Sequence, residues 1–299
     1  MIEVLKHLLI LYIFLLAGYL IGGIKKDKAS HSDILSVLLI NIFLPCKVFN
    51  TFANNFTITY FSERYTLLIT SLILILVLVT IAYFGSKLLT KKEYEQKVYQ
   101  YSFTLTNYAY LGYVLIESVF GEKFLSEFVF FAIPFIIYTY TFGYALLTGG
   151  KNFIKKLLNP LTIAIVLVMI VGLTNITLPE VISKAVSSSS ACVGPLSMIL
   201  TGMTLSTFKF KELILDKTAY IFTFIRLIVI PGIAYLICLL LKLYTVLPMV
   251  LIITAMPCGL NTVVFPKLIG EDCKPGARLA LISHFFSIIT LPLWLSLII

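Results

Sequence analysis

Ionisable side chains are scarce in this sequence, acids above all: its 299 residues include 14 Asp and Glu and three His. Charged residues make up 12% of the chain, about half of the ~25% usual in a soluble domain. No G-x-x-x-x-G-K-[ST] phosphate loop, H-E-x-x-H zinc pair or G-x-S-x-G nucleophile turn occurs. An ATP-driven pump, a kinase, a zinc hydrolase and a serine hydrolase therefore have no motif to rest on, and no enzyme activity is expected. Cys46, Cys192, Cys238, Cys258 and Cys273 include no C-x-x-C pair. They argue for neither a disulfide framework nor a zinc site, and no metal or cofactor is implied. A basic leader ending in a small-residue cleavage site is also missing, so the apolar run from Val4 to Gly23 reads as a retained membrane helix.

What is present is apolar surface: 60% of residues are hydrophobic and mean hydropathy is +1.02. The chain reads as an all-α polytopic membrane protein. Ten spans are expected, at 4–23, 33–53, 65–87, 99–120, 127–148, 160–177, 186–206, 217–241, 247–269 and 277–298. At about 20 residues per span they leave no room for a separate soluble domain. The connections are short, so consecutive spans are expected to be antiparallel neighbours or nearly so.

The net charge of +9 is explained by where the cations sit. The odd-numbered connections hold sixteen of the 23 Lys and Arg, including Lys25, Lys26, Lys91, Lys92, Lys151, Lys155, Lys209, Lys267 and Lys274. The N-terminus and the even connections hold five, and Lys47 and Arg226 lie inside spans. Cations favour the cytoplasmic side, which predicts cytoplasmic odd loops, both termini outside and a multi-pass plasma (inner) membrane protein. The lipid bilayer is its partner, and nothing is left for nucleic acid to explain.

An odd number of spans per half would place duplicated halves in opposite orientation, as in inverted-repeat transporters. Landmarks recur at one offset: Pro45 of span 2 matches Pro195 of span 7 at 150, and Gly121-Glu122 matches Gly270-Glu271 at 149. Residues 1–149 and 150–299 are accordingly read as two inverted five-helix repeats.

Polar, helix-breaking residues inside a span point to a site, because irregular backbone at membrane depth must be buried in protein or line a cavity. Span 4 carries Thr106, Asn107, Tyr108 and Gly112; span 9 carries Pro257, Cys258, Asn261 and Thr262. Both breaks fall at equivalent repeat positions, and these eight residues form the expected substrate site. Half-helix N-termini suit a carboxylate and freed carbonyls suit a cation, and the uncharged amides of Asn107 and Asn261 serve either. The bland alternative is a pair of kinks with each Asn bonded to a neighbouring helix. Pro45 and Pro195 are read as shaping the cavity. Lys47 either snorkels outward or stays buried as a cation for an anionic substrate. Arg226 lies too deep to snorkel and is expected to pair with carbonyls or an acid. Glu117, Ser283 and His284 are candidates for ion coupling, with packing as the alternative for His284. The tyrosines crowding span 4 are assigned mainly to packing rather than to stacking on an aromatic ligand.

Taken together, Phe43-Leu44-Pro45 through Val48-Phe49, Asn107 through Gly112 to Gly121-Glu122, Met256-Pro257 with Asn261-Thr262-Val263-Val264, and Leu281-Ile282-Ser283 with Ser287 and Thr290-Leu291-Pro292-Leu293 resemble the auxin efflux carrier (AEC) family of membrane transporters. The likeness covers nearly the whole chain. It implies two inverted five-helix repeats, with spans 1, 2, 6 and 7 as a scaffold and spans 3–5 and 8–10 as a transport domain in which broken helices 4 and 9 cross. It also implies secondary transport of small organic anions such as dicarboxylates or auxin-like aromatic acids, with Asn107 and Asn261 beside the substrate. The sequence departs from the family pattern at Tyr113, where a proline is usual, and at Lys47. The coupling ion, H⁺ or Na⁺, and a homodimeric state stay open, as do a ligand-binding sensor or scaffold without net transport and a channel.

Overall fold

The computed structural model describes residues 1–24, 28–53, 57–150, 158–174 and 178–299. Lys25, Lys26, Lys151, Lys155 and Lys156 of the orientation count, and the end of the expected 160–177 span, lie outside them.

Helix dominates because long runs of Leu, Ile, Val, Ala and Phe leave each backbone group to be satisfied within its own segment. The helices are α1 (Ile2–Ile24), α2 (28–53), α3 (Ile58–Leu89), α4 (Glu93–Thr104), α5 (Tyr108–Phe120), α6 (Glu122–Thr148), α7 (Pro160–Thr174), α8 (Glu180–Ser206), α9 (Phe210–Ile214), α10 (Lys217–Leu240), α11 (Leu247–Ala255), α12 (Asn261–Lys267) and α13 (Lys274–Leu295). Among the described residues the single β feature is an isolated bridge between Thr106 and Cys258. Six of these helices are long and apolar enough to cross a membrane, α1, α2 (His31–Phe52), α3, α6, α10 and α13. α8 is long but carries Ser187–Ser190, and α4, α5, α11 and α12 are halves of interrupted segments.

Wide turns sit inside four helices, at Leu39–Phe43, Tyr108–Gly112, Thr139–Gly143 and Ile225–Val229. Two of them precede a proline. Pro45 and Pro231 have no N–H, and the widened turn before each relieves the clash with the preceding carbonyls. The Leu227 carbonyl, which Pro231 leaves without its helical donor, takes the Trp294 indole N–H at 2.7 Å.

Packing sorts the helices into two groups. α1 lies along α8, and α2 packs on both α7 and α8. The α1–α8 contact is made by small residues: a Cβ added at Gly202 would stand 1.9 Å from the Leu15 carbonyl, and one at Gly18 2.2 Å from the Ile199 carbonyl. The second group joins α3–α6 to α10–α13. The expectation that consecutive spans are neighbours therefore holds within residues 58–148 and 217–295 and fails elsewhere. α1 takes its main contact from α8, more than the length of the first half away, because glycine-lined faces admit a closer approach than the bulky Leu and Ile faces of adjacent segments. Exposed Leu, Ile and Val, such as Ile69, Leu72, Ile73 and Leu76 on α3, form an outer surface suited to lipid tails.

Candidate functional site at the crossing of two broken helices

Two helices stop in mid-molecule and face each other. α4 ends at Thr104, where Leu105 turns extended, and α5 starts at Tyr108; α11 ends at Ala255, where Met256 turns extended, and α12 starts at Asn261. Pro257 lacks the N–H that would carry α11 onward. The intervening strands run antiparallel through the Thr106–Cys258 bridge, with the Asn107 N–H donating to the Pro257 carbonyl at 2.8 Å. Gly259 permits that approach, since a Cβ there would stand 3.2 Å from the Thr106 carbonyl.

A broken helix exposes carbonyls at one end and N–H groups at the other. Arg226, fully buried in the wide turn of α10, takes the carbonyl ends of both. Its Nε donates to the Ser102 carbonyl of α4 at 3.2 Å, while Nη1 and Nη2 donate to the Thr254 and Ile253 carbonyls of α11 at 2.5 and 3.3 Å. One guanidinium fork thus ties two C-terminal helix ends together, where the helix dipoles favour a cation. Of the two partners foreseen for Arg226, carbonyls are the ones it has. The Thr106 hydroxyl also donates to the Ile253 carbonyl, at 3.2 Å.

The other face of the crossing holds a cavity of about 30 Å³, room for a water, lined by Tyr101, Thr106, Asn107, Tyr108, Tyr140 and Asn261 among others. Among the described residues no charged side chain lines it. Asn107, 2% exposed, donates from Nδ2 to His284 Nε2 at 2.9 Å, and Asn261 Nδ2 donates to the Tyr101 hydroxyl at 2.9 Å. The first turn of α5, whose leading N–H groups have no intrahelical acceptor, lines it as well.

Of the eight expected substrate residues, Thr106, Asn107, Tyr108 and Asn261 line this cavity. Gly112, Pro257, Cys258 and Thr262 shape the crossing instead. The Cys258 N–H donates to Ser283 Oγ at 3.0 Å, Thr262 Oγ1 donates to the Gly259 carbonyl at 3.1 Å, and Gly112 packs near Met256. Lys47 and Glu117, singled out separately, form an ion pair between α2 and α5; Lys47 is buried and Glu117 partly exposed. The Lys47 charge is thus already matched by an acid. Pro195 lies one residue from Gly194, where an added Cβ would stand 2.8 Å from Val114 of α5, and two from Ser197, whose hydroxyl donates to the Tyr110 carbonyl at 2.9 Å. Tyr101 is one of the span 4 tyrosines that the sequence assigns mainly to packing, and Tyr140, in span 5, carries no signal for the site in the sequence.

A second cavity of about 360 Å³ lies beside the middle of α2, the start of α7 and the end of α12, lined by Ser36, Asn41, Tyr140, Tyr144, Asn159 and Phe265 among others. Tyr140 belongs to both cavities. The Phe265 ring stands 5.2 Å from that of Tyr144, 6.2 Å from Tyr140 and 6.3 Å from Tyr101, an aromatic partition between the two spaces.

A membrane transport protein family model matches the chain in two stretches, residues 3–152 and 144–295. The uncharacterized transporter MJ1031 of Methanocaldococcus jannaschii is 27% identical, over 96% of both chains. Two crossed half-helix pairs inside an apolar bundle, the motifs read from the sequence and a match over nearly all 299 residues agree: the chain belongs to the membrane transport protein family, the AEC family of membrane transporters.

Proposed function

We propose that this transporter is a secondary carrier of small organic anions working by alternating access, with its substrate held at the crossing of the broken helices. The observation that carries the reading is the small cavity there: two amides, tyrosine hydroxyls and the N-terminal turn of α5 converge deep in an apolar bundle, where polar lining is costly unless it serves a ligand. The partial positive charge of a helix N-terminus, about half an elementary charge, suits a carboxylate. A site without full charges binds weakly enough to release its cargo.

In this reading the protein has ten membrane segments in two inverted repeats, residues 1–149 and 150–299, and the double match to one family model supports the duplication. α1, α2, α7 and α8 form the scaffold, and α3–α6 with α10–α13 form the moving body. Among the described residues the polar ties between the two include Lys47 with Glu117, Lys267 with Asp33 at 2.5 Å, Ser197 with the Tyr110 carbonyl, and Tyr12 with α13, and each can exchange. A cavity of water size represents a closed site. Moving Tyr140 and Phe265 aside would join it to the larger space beside the odd-numbered connections, which the lysine bias assigns to the cytoplasm of a plasma membrane protein.

The test is uptake and counterflow of radiolabelled malate, succinate and indole-3-acetate in proteoliposomes. Saturable flux through the wild type, with at least a tenfold loss in Asn107→Ala and Asn261→Ala that leaves membrane insertion intact, is the expected result. Binding of an acid with no flux under any gradient would make the protein a ligand sensor, and single-channel conductance would make it a channel.

A further inference from the structure

His284 lies in the middle of α13, 2% exposed, directly behind Asn107. Its Nδ1 stands 2.7 Å from the Ala280 carbonyl, which can only accept, so Nδ1 carries a proton. In the neutral ring Nε2 is then a bare acceptor, and the group facing it must donate. That group is the Asn107 amide nitrogen at 2.9 Å. The orientation of Asn107 follows: Nδ2 is drawn back to the histidine, and Oδ1, to which no described residue donates, is left to the cavity that Asn107 lines. The backbone of Asn107 has no freedom to respond otherwise. Its N–H is held by the Pro257 carbonyl at 2.8 Å, and its carbonyl accepts from Leu111 and Gly112 at 3.2 and 3.1 Å.

A proton added to Nε2 reverses the polarity of this contact. Two N–H donors would then face each other in a buried site, and half a turn about the terminal torsion of Asn107, which is broadly two-fold, removes the conflict. The amide oxygen then accepts from the imidazolium, and the NH₂ group points into the cavity with a full positive charge behind it. We propose that His284 is the proton-binding residue of this carrier and acts through Asn107, turning the site from acceptor to donor so that one proton and one organic anion bind together. The proposal rests on the carrier reading above. His284 is a positioning residue in it, since Asn107 is the group that meets the substrate. The proton arrives from solvent with the anion in an open state of the site and leaves to the opposite side when the anion dissociates and Asn107 turns back.

Few groups compete for that proton. α1 contributes Tyr12, whose hydroxyl donates to the His284 carbonyl at 2.6 Å with its ring 6.4 Å from the imidazole. The crossing contributes Cys258, tied through its N–H to Ser283, α10 contributes Arg226, committed to the carbonyls on the far side of the break, and α4 contributes Tyr101, which accepts from Asn261, with Glu93 paired to Lys97 and Glu95 to Lys92 at its beginning. From α9, Glu212 pairs with Lys274 at the start of α13, and from the start of α10 Asp216 pairs with Arg278. α8 carries Glu180 and Lys184, paired with each other at its exposed beginning, and α12 carries Lys267 at its last turn, paired with Asp33. Among the described residues, then, no carboxylate pairs with His284, and its charge is free to be matched by a bound anion.

Two measurements test this. In bilayers, ¹⁵N NMR of labelled wild-type protein, with His7 and His31 assigned by substitution, should find His284 neutral at pH 7 with Nδ1 protonated and Nε2 bare. On acidification the Asn107 side-chain amide should shift with the same midpoint as His284. A neutral ring protonated on Nε2, or an Asn107 amide indifferent to the titration, would overturn the switch. In proteoliposomes with the membrane potential clamped at zero, wild-type accumulation of malate or succinate should rise about tenfold per imposed pH unit, as one-to-one linkage requires. In His284→Gln, which keeps a hydrogen-bonding side chain but cannot be charged, accumulation should stay near unity, and any remaining exchange should be flat between about pH 5 and 8. A tenfold response in that variant would overturn the switch and leave the carrier standing, whereas a wild type that exchanges none of the tested acids would overturn the carrier reading itself.

Discussion

Arg226 is the residue on which the crossing depends. It is a cation at membrane depth, and its hydrogen bonds go to main-chain carbonyls at the ends of α4 and α11. Arg226→Met keeps bulk and removes the fork, leaving the buried Ser102 and Thr254 carbonyls without their donor at a cost of about 1–3 kcal/mol each; the Ile253 carbonyl keeps its bond from Thr106. A fall in Tm of several degrees in detergent is expected, with loss of any transport. Arg226→Lys should recover little of it, because one ammonium cannot span both helix ends as the planar guanidinium does. That an Arg this deep would need acceptors could be read from its position in an apolar run; which ones could not, since every residue offers a carbonyl. Asn107 behaves alike: its place in a broken span was legible, but its bond to His284, 177 residues on, was not.

At the scale of elements, the breaks were the clearest feature to read. Pro257 cannot donate to a helix and Gly259 loosens one, so an interruption between α11 and α12 follows from local chemistry. The interruption after Thr104 has no proline to enforce it and is stabilised by its partner strand, through Thr106–Cys258 and the Asn107–Pro257 hydrogen bond. Gly259→Val should therefore disturb both breaks together, reducing transport at least tenfold while the protein still inserts. The Lys47–Glu117 pair joins α2 to α5 across the proposed scaffold boundary. Glu117→Gln strands a buried ammonium, whose cost should stay below the ~3–5 kcal/mol of a fully buried broken pair because the glutamate is partly exposed. Adding Lys47→Met should restore much of that stability, a coupling that a double-mutant cycle of Tm values measures. Gly202→Leu drives a side chain into the α1 backbone and should prevent stable folding, whereas Gly23→Leu, with nothing within 4 Å of its added Cβ, should be silent.

For the whole molecule, charge distribution sets the orientation to test. If the odd connections are cytoplasmic, a cysteine replacing Lys92, exposed between α3 and α4, reacts with a membrane-impermeant maleimide only after permeabilisation, and one replacing Lys184 reacts from outside. These probes are made in a background lacking the exposed Cys192. The reverse pattern would invert the proposed topology and place the larger cavity on the outer face.

The sequence by itself determined that this is a helical membrane protein, where its apolar segments lie and where two of them are interrupted. These are local properties: hydrophobic run length, the missing N–H of proline and the placement of lysines act within about twenty residues. Only the tertiary structure decided which helices touch, that one arginine closes two helix ends, that Lys47 and Glu117 neutralise each other and that His284 orients Asn107. Each of those joins residues far apart in the chain, and in an apolar medium such partners are selected by close fit and by the need to satisfy every buried polar group, which no local pattern encodes.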